Sequence, residues 1–238
     1  IRSMKDILDK FLQPASVAVF GATEKEGKVG CALMHNLAGF GGEVYPINPK
    51  NDTVMGLKCY PSARALPQPA DLALIATPAP GVPALVAECG KAGLRQVVVL
   101  SAGFKEQGPT GELLQQQLIA SAKRAKVRLI GPNCLGLATP SHGLNATFAP
   151  AMPQAGRVAF ITQSGALGAA VMDWAFEKKV GFSHFVSLGG MADLRFDQMT
   201  DYFGADSRTA CILIYMESLD HARQFMSAAR AFARSKPI

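Results

Sequence analysis

The sequence predicts an α/β chain in two parts, each built on a parallel sheet covered by helices. Three observations predict it. Short apolar, β-branched runs alternate with helical patterns from end to end, as buried parallel strands and their crossover helices do. A Pro/Gly/Ala-rich passage at 139–156 breaks that alternation after five strand candidates and before three more. The composition, 238 residues with 49% hydrophobic and 18% charged, supplies enough apolar side chains for a large core.

The first strand lies in the apolar run Ser16-Val17-Ala18-Val19-Phe20. It breaks into a glycine-bearing turn, and a helical pattern follows from Val29 to Leu37. Val44–Ile47, Leu72–Ala76, Val97–Leu100 and Val127–Ile130 read as the next strands, with helical stretches at Gly81–Ala92 and Thr110–Ala125. Together they make a five-stranded Rossmann-like domain over residues 4–138. Residues 139–156, with Pro140, Pro150 and Pro153, read as an interdomain linker. The alternation resumes with strands at Arg157–Thr162, Phe182–Leu188 and Ala210–Met216, and helices at Gly165–Lys178, Phe196–Phe203 and Leu219–Arg234. Lys236-Pro237-Ile238 reads as the start of another strand. Three strands make a thin domain, so 157–238 is expected to be an incomplete α/β domain of a longer protein. Ile1-Arg2-Ser3 before Met4 reads as a cloning scar or trimmed tag.

Composition also excludes classes. No uninterrupted apolar run approaches the roughly 20 residues that span a bilayer, so no membrane segment is expected. The five cysteines are odd in number and scattered, with no C-x-x-C pair, which fits free thiols in a reducing cytoplasm. A net charge of +6 favours anionic partners. Nucleic acid is not expected, because the bases do not cluster in one tract with interleaved aromatics.

The candidate sites follow the strand ends. The turn Gly21-Ala22-Thr23-Glu24-Lys25-Glu26-Gly27-Lys28-Val29-Gly30 joins a strand to a helix N-terminus, where free N–H groups and the positive helix end attract an anion. A NAD-binding unit places an Asp or Glu on the ribose about 20 residues on. Here the second strand ends in Asn48-Pro49-Lys50, and the loop spacing is G-x₅-G-x₂-G. Both departures point to a multiply phosphorylated nucleotide such as coenzyme A, with NADP the nearest competitor. The cofactor-binding candidates here are Gly21, Ala22, Thr23, Lys25, Gly27, Lys28, Gly30 and Lys50. Ser101-Ala102-Gly103-Phe104 and Gly131-Pro132-Asn133-Cys134 follow the fourth and fifth strands at the same rim, which adds Ser101, Ala102 and Asn133. Thr162-Gln163-Ser164-Gly165-Ala166-Leu167 is a second strand–turn–helix entry. Ser164 reads as a plain N-cap or, with Gly165 and Ala166, as a second anion site. A nucleophile elbow is a rival, with Asp193 or Asp197 and His221 as triad partners, although Thr162 stands where the first glycine belongs. Glu217 closes the third strand of the second part, as a helix-capping acid or as a group that orients a histidine or binds a cation. His35, His142 and His184 are isolated, and no metal site is expected.

From Phe11 to Ile238 the chain resembles the CoA-binding portion of NDP-forming acyl-CoA synthetases, relatives of the succinyl-CoA synthetase α subunit. The matching pieces are Ser16–Ala22, Tyr45-Pro46-Ile47-Asn48-Pro49, Gly131–Cys134, Leu144-Asn145-Ala146-Thr147-Phe148 and Phe160–Leu167. Asp173-Trp174-Ala175 and the stretch from Asp206 to Ile238 look like bacterial protein lysine acetyltransferases, which carry a similar region beside a GNAT domain. The resemblance implies a flavodoxin-like, succinyl-CoA synthetase-like second domain. It implies CoA or acyl-CoA on the Gly21–Gly30 loop, Lys50 and the Ser101 turn, with Asn133 near the thiol. It puts phosphate on Ser164 and Gly165, and Glu217 beside a phosphohistidine. That histidine, in a Ser-His-Thr-Gly stretch after the Lys-Pro-Ile strand, is absent here, so this stretch of chain is expected to bind CoA without turnover. ADP, ATP and Mg would enter only through an ATP-grasp domain or subunit, and an oligomer is expected. Two rivals remain: a silent CoA sensor attached to an acetyltransferase, and an NADP-linked oxidoreductase.

Overall fold

A computed structural model describes residues 3–238. Ile1 and Arg2, the start of the expected scar, lie outside the described residues. The chain opens with α1 (Met4–Leu12), which the sequence reading missed. Its start is a capping box: Ser3 Oγ accepts from the Asp6 N–H (3.1 Å), and the Asp6 carboxylate accepts from the Ser3 N–H (3.0 Å). Leu8, Phe11 and Leu12 are buried on one face.

The first sheet takes β1 (Ser16–Phe20), β2 (Glu43–Ile47), β5 (Leu72–Ile75), β6 (Gln96–Val99) and β7 (Arg128–Ile130), all parallel in the order β2-β1-β5-β6-β7. Between them run α2 (Val29–Asn36), α3 (Val82–Lys91) and α4 (Pro109–Ala125). A small antiparallel ribbon, β3 (Thr53–Val54) with β4 (Leu57–Lys58), was not expected. Every residue of β1, β5 and β6 is buried, as strands covered on both faces must be. The strand order reverses between β1 and β5, so a crevice opens beyond their carboxyl ends, where doubly wound sheets bind ligands.

The second sheet corrects two expectations. It has five strands, not three, and it is mixed. Its order is β12 (Cys211–Tyr215), β10 (Ala155–Thr162), β11 (Phe182–Ser187), β8 (Gly136–Thr139), β9 (Leu144–Thr147). β10 pairs parallel with β11 and β12, while β8 is antiparallel to β11 and β9. The passage read as a linker therefore holds strand β9 and the start of β10, and Leu144 and Ala146 enter the core. The prolines misled: Pro140 only starts the 3₁₀ turn between β8 and β9. The helices are α5 (Gly165–Glu177), α6 (Phe196–Ala205) and α7 (Ala222–Phe232). The Ile212 N–H donates to the Pro237 carbonyl (2.9 Å), so the last residues lie along the outer edge of β12.

The two sheets are fastened to each other. One core cluster joins Leu8 and Val17 of the first part to Leu137, Ile161 and Phe203 of the second. Residues 190–194 run beside 129–132, with N–H groups of Gly190, Ala192 and Leu194 donating to Pro132, Gly131 and Leu129 (2.7–3.1 Å). Arg128 Nε and Nη2 grip the Asp193 carboxylate at 2.7 and 3.0 Å. Asn36 at the end of α2 donates to the Thr147 and Ala149 carbonyls, tying the first part to the chain that follows β9. Among the described residues, no helix is long and apolar enough to cross a membrane.

Candidate functional site

The first crevice, about 790 Å³, lies over the carboxyl ends of β1, β2 and β5. Three glycines shape it for three different reasons. Gly21 has φ +84°, and a Cβ there would sit 2.9 Å from the Ala76 carbonyl oxygen. Gly27 has φ +76° with open space around it, so only its backbone conformation needs glycine. A Cβ on Gly30 would sit 2.0 Å from the Gly21 carbonyl oxygen, because α2 starts directly against the loop. α2 has no side-chain cap and no acid in its first turn. Among the described residues the Val29 and Gly30 N–H groups donate to no protein acceptor, so the positive helix end is open to an anion. Lys25, Lys28 and Lys50 line the crevice, with Thr23. Glu88 also lines it, but its carboxylate accepts from the Ala63 N–H (2.7 Å). Ala22 lies beneath, fully buried, and does not line the crevice.

Asn48 carries this geometry, and the sequence reading did not single it out as a site residue. Its Nδ2 donates to the Ala22 carbonyl (2.9 Å), and its Oδ1 accepts from the Lys50 N–H (3.0 Å). One side chain thus fixes both the glycine loop and the turn that bears the lysine. The signal was present as a polar residue ending an apolar strand directly before a proline.

The second cavity, about 890 Å³, lies over the carboxyl ends of β6, β10 and β12. Ser101, Ala102 and Asn133 line it, as do Ser164, Gly165, Ala166 and Glu217. Ser164 caps α5, its Oγ accepting from the Leu167 N–H (3.3 Å), while its own N–H donates to Thr162 Oγ1 (3.1 Å). Among the described residues the Gly165 and Ala166 N–H groups have no protein acceptor, so the cap leaves the helix start open. Gln163, a second unforeseen residue, is buried. Its Oε1 accepts from the N–H groups of Glu217 (2.8 Å) and Ser218 (3.0 Å), and its Nε2 donates to Ser218 Oγ (2.9 Å). Gln163 therefore holds Glu217 at the rim opposite Ser164. Phe148, after β9, and Gly189 also line the cavity. Gly189 has φ +54°, and a Cβ there would meet the Asn133 and Pro132 carbonyl oxygens at 2.4 Å.

The two cavities share Val29, Ala76 and Thr77, so they form one trough from the lysines to α5. Thr77 Oγ1, at this waist, is buried with no hydrogen-bond partner among the described residues, while the Thr77 carbonyl accepts from Ser101 Oγ (2.6 Å). Burial alone would raise the Glu106 carboxyl, but the N–H groups of Gly103 and Phe104 hold it below its ordinary value. Its charge thus serves the turn after β6 rather than the trough.

The rival chemistries lack their parts. No histidine lines the cavity around Ser164. Asp193 is held by Arg128, Asp197 by Arg195 (3.1 Å), and His221 stands at the start of α7. The nucleophile-elbow reading is therefore wrong. Cys134 is buried, and burial pushes its thiol up to about 12, which suits packing rather than attack. Among the described residues, no group of three or more His, Cys, Asp or Glu gathers as a metal site.

Comparison with known proteins gives the family and the fold of the chain. Residues 15–140 match the family model described as "CoA binding domain", and 155–238 match "Succinyl-CoA ligase like flavodoxin domain". The chain is 45% identical to acetate–CoA ligase [ADP-forming] I of Archaeoglobus fulgidus, covering 97% of this chain and 34% of that protein. It is 40% identical to the alpha subunit of acetate–CoA ligase [ADP-forming] I of Pyrococcus furiosus, covering 97% of this chain and 51% of that subunit. The dinucleotide-forming acetyl-coenzyme A synthetase 1 of Ca. Korarchaeum cryptofilum, solved with phosphate and ADP, superposes with a TM-score of 0.93 at 40% identity over 97% of this chain and 50% of that one. The chain thus spans about a third to a half of the length of these relatives.

Proposed function

Because the chain belongs to the CoA-binding domain family, as the alpha-type region of ADP-forming acyl-CoA synthetases, we propose that its trough is the half-site where acyl-CoA and phosphate become acyl phosphate and CoA. The observation that carries this reading is the continuity of the trough. A cation-lined crevice at one helix start leads past Thr77 to a second helix start with two free N–H groups. CoA has that layout, with phosphates at one end and a thiol at the other.

In this reading Lys50 takes the phosphate on the ribose. The Gly21–Gly30 loop and the α2 N-terminus take the diphosphate, with Lys25 and Lys28 beside it. The pantetheine crosses the waist over Val29 and Ala76 toward Ser101, Ala102 and Asn133. Phosphate sits on the Gly165 and Ala166 N–H groups beside Ser164. One phosphate oxygen attacks the thioester carbon, the C–O bond forms and the C–S bond breaks. The thiolate leaves with CoA and takes up a proton. The fixed amides and the helix dipole stabilise the charge on the phosphate through this step. Glu217 faces the same space, where it would steady a cationic or phosphorylated histidine supplied by the rest of the synthetase. ADP, ATP and Mg would belong to an ATP-grasp domain or partner subunit, and the assembly would be cytoplasmic and oligomeric.

Calorimetric titration with CoA and NADP tests this. CoA is expected to bind and NADP to bind far more weakly. NADP binding without CoA binding would overturn the assignment.

A further inference from the structure

At the opposite end of the first sheet from the trough, a cavity of about 840 Å³ opens where β6 and β7 begin and α4 ends. Ile7, Ala122, Val127 and Leu129 give it apolar walls. Four cations line it, Arg95, Lys123, Lys126 and Arg128, against a single carboxylate, Asp193. That carboxylate is already engaged by Arg128 and by the Leu129 N–H (2.9 Å). Arg95 donates through Nη1 to the Ala125 carbonyl (2.5 Å) and meets no carboxylate among the described residues. Lys123 and Lys126 likewise form no ion pair among the described residues. Lysines at the end of α4 oppose its negative helix end, which accounts for these two on bland grounds. Arg95 also reaches the last carbonyl of that helix and Arg128 is paired with Asp193, which leaves Arg95, Lys123 and Lys126 as the cations that meet in this space without a counter-charge among the described residues. Cations that converge on one volume without counter-charges repel one another unless an anion joins them.

We propose that this cavity is a second anion site, taking an organic phosphate of the nucleoside diphosphate class. The volume lies in the range of small-molecule sites, which run from roughly 300 to 1,000 Å³. The apolar walls suit a planar base, and Arg95, Lys123 and Lys126 suit the phosphates. The site stands apart from the trough, so it does not depend on the proposed ligase role.

The test is calorimetric titration of ADP into the chain held in excess CoA, at low ionic strength. A saturable ADP site is expected, and Lys123→Gln/Lys126→Gln should weaken it by about tenfold. Inorganic diphosphate should bind at least about fivefold more weakly than ADP, since it lacks a body for the apolar walls. CoA binding should be unchanged in the double variant, which shows that the fold is intact. An ADP affinity unmoved by the double substitution, or no ADP binding beside CoA, would overturn the site. Diphosphate binding as tightly as ADP would overturn the ligand class. If CoA itself failed to bind, the ligase reading would fail, while comparing ADP binding in the two proteins would still read out this cavity.

Discussion

The helix starts at α2 and α5 face the same trough, and they are built in opposite ways. Each leaves two N–H groups without an acceptor among the described residues and has no acid in its first turn. Around α2 stand Lys25, Lys28 and Lys50, and glycine is sterically required where the helix meets the loop. Around α5 stand a serine cap, uncharged amides and an exposed acid, Glu217, held by Gln163, with one lysine, Lys105, lining the same cavity. The first arrangement suits a polyanion that is held throughout a reaction. The second suits an anion that is held and then passed on, because neutral dipoles grip a phosphate without trapping it in ion pairs.

The sharpest way to break this comparison is with the two glycines. Gly30→Ala forces a Cβ against the Gly21 carbonyl, so it should cost on the order of 3 kcal/mol or prevent folding. Gly165→Ala meets only Leu135 at 3.6–3.7 Å, an ordinary contact, and should change stability by less than about 0.5 kcal/mol. Denaturant unfolding of the two variants decides, and equal losses would erase the distinction.

The scaffold behind the second rim has its own pH signature. His184 in β11 is buried against Phe203 and Tyr202, with Asp206 at 3.6 Å and Arg208 beyond it. Burial lowers its pKa from 6.5 to about 4, outweighing the pull of Asp206. A histidine kept neutral in the fold loses ground once the unfolded chain can protonate. Stability from this group is therefore complete above pH 6.5 and falls as pH drops from 6.5 toward 4, by up to about 3 kcal/mol. Unfolding curves across that range should show the loss, and His184→Leu should flatten it. An unchanged slope in the variant would assign the loss elsewhere.

Lys50→Ala probes the held polyanion. It should weaken CoA by about tenfold while leaving dephospho-CoA nearly unchanged, since a charge-assisted hydrogen bond is worth about 1.5 kcal/mol. Equal losses for both ligands would remove Lys50 from the ribose phosphate. The smallest effect belongs to the cap: Ser164→Ala should cost about 1 kcal/mol of stability, read by thermal unfolding.

Legibility followed the same divide. The first sheet was plain in the sequence, because continuous apolar strands such as Val97–Leu100 alternate with helices and leave little choice of topology. The second sheet was not, because β8 and β9 are short, carry Asn145, Thr139 and Thr147, and flank Pro140. Their strand character comes from pairing, β8 with β11 and β9 with β8, which no local pattern announces. The site residues that touch the trough were legible as glycines, lysines and a capped helix start. Asn48 and Gln163, which position them, were not, because a polar side chain that bonds backbone across 26 or 54 residues leaves no spacing to read.

The most direct measurement is a crystal structure of the chain with CoA and phosphate. The nucleotide should lie over Gly21–Gly30 with its ribose phosphate at Lys50, the thiol should reach the Asn133 end of the second cavity, and phosphate should rest on the Gly165 and Ala166 N–H groups. A thiol directed away from α5, or a nucleotide bound elsewhere with the first crevice bare, would contradict the account.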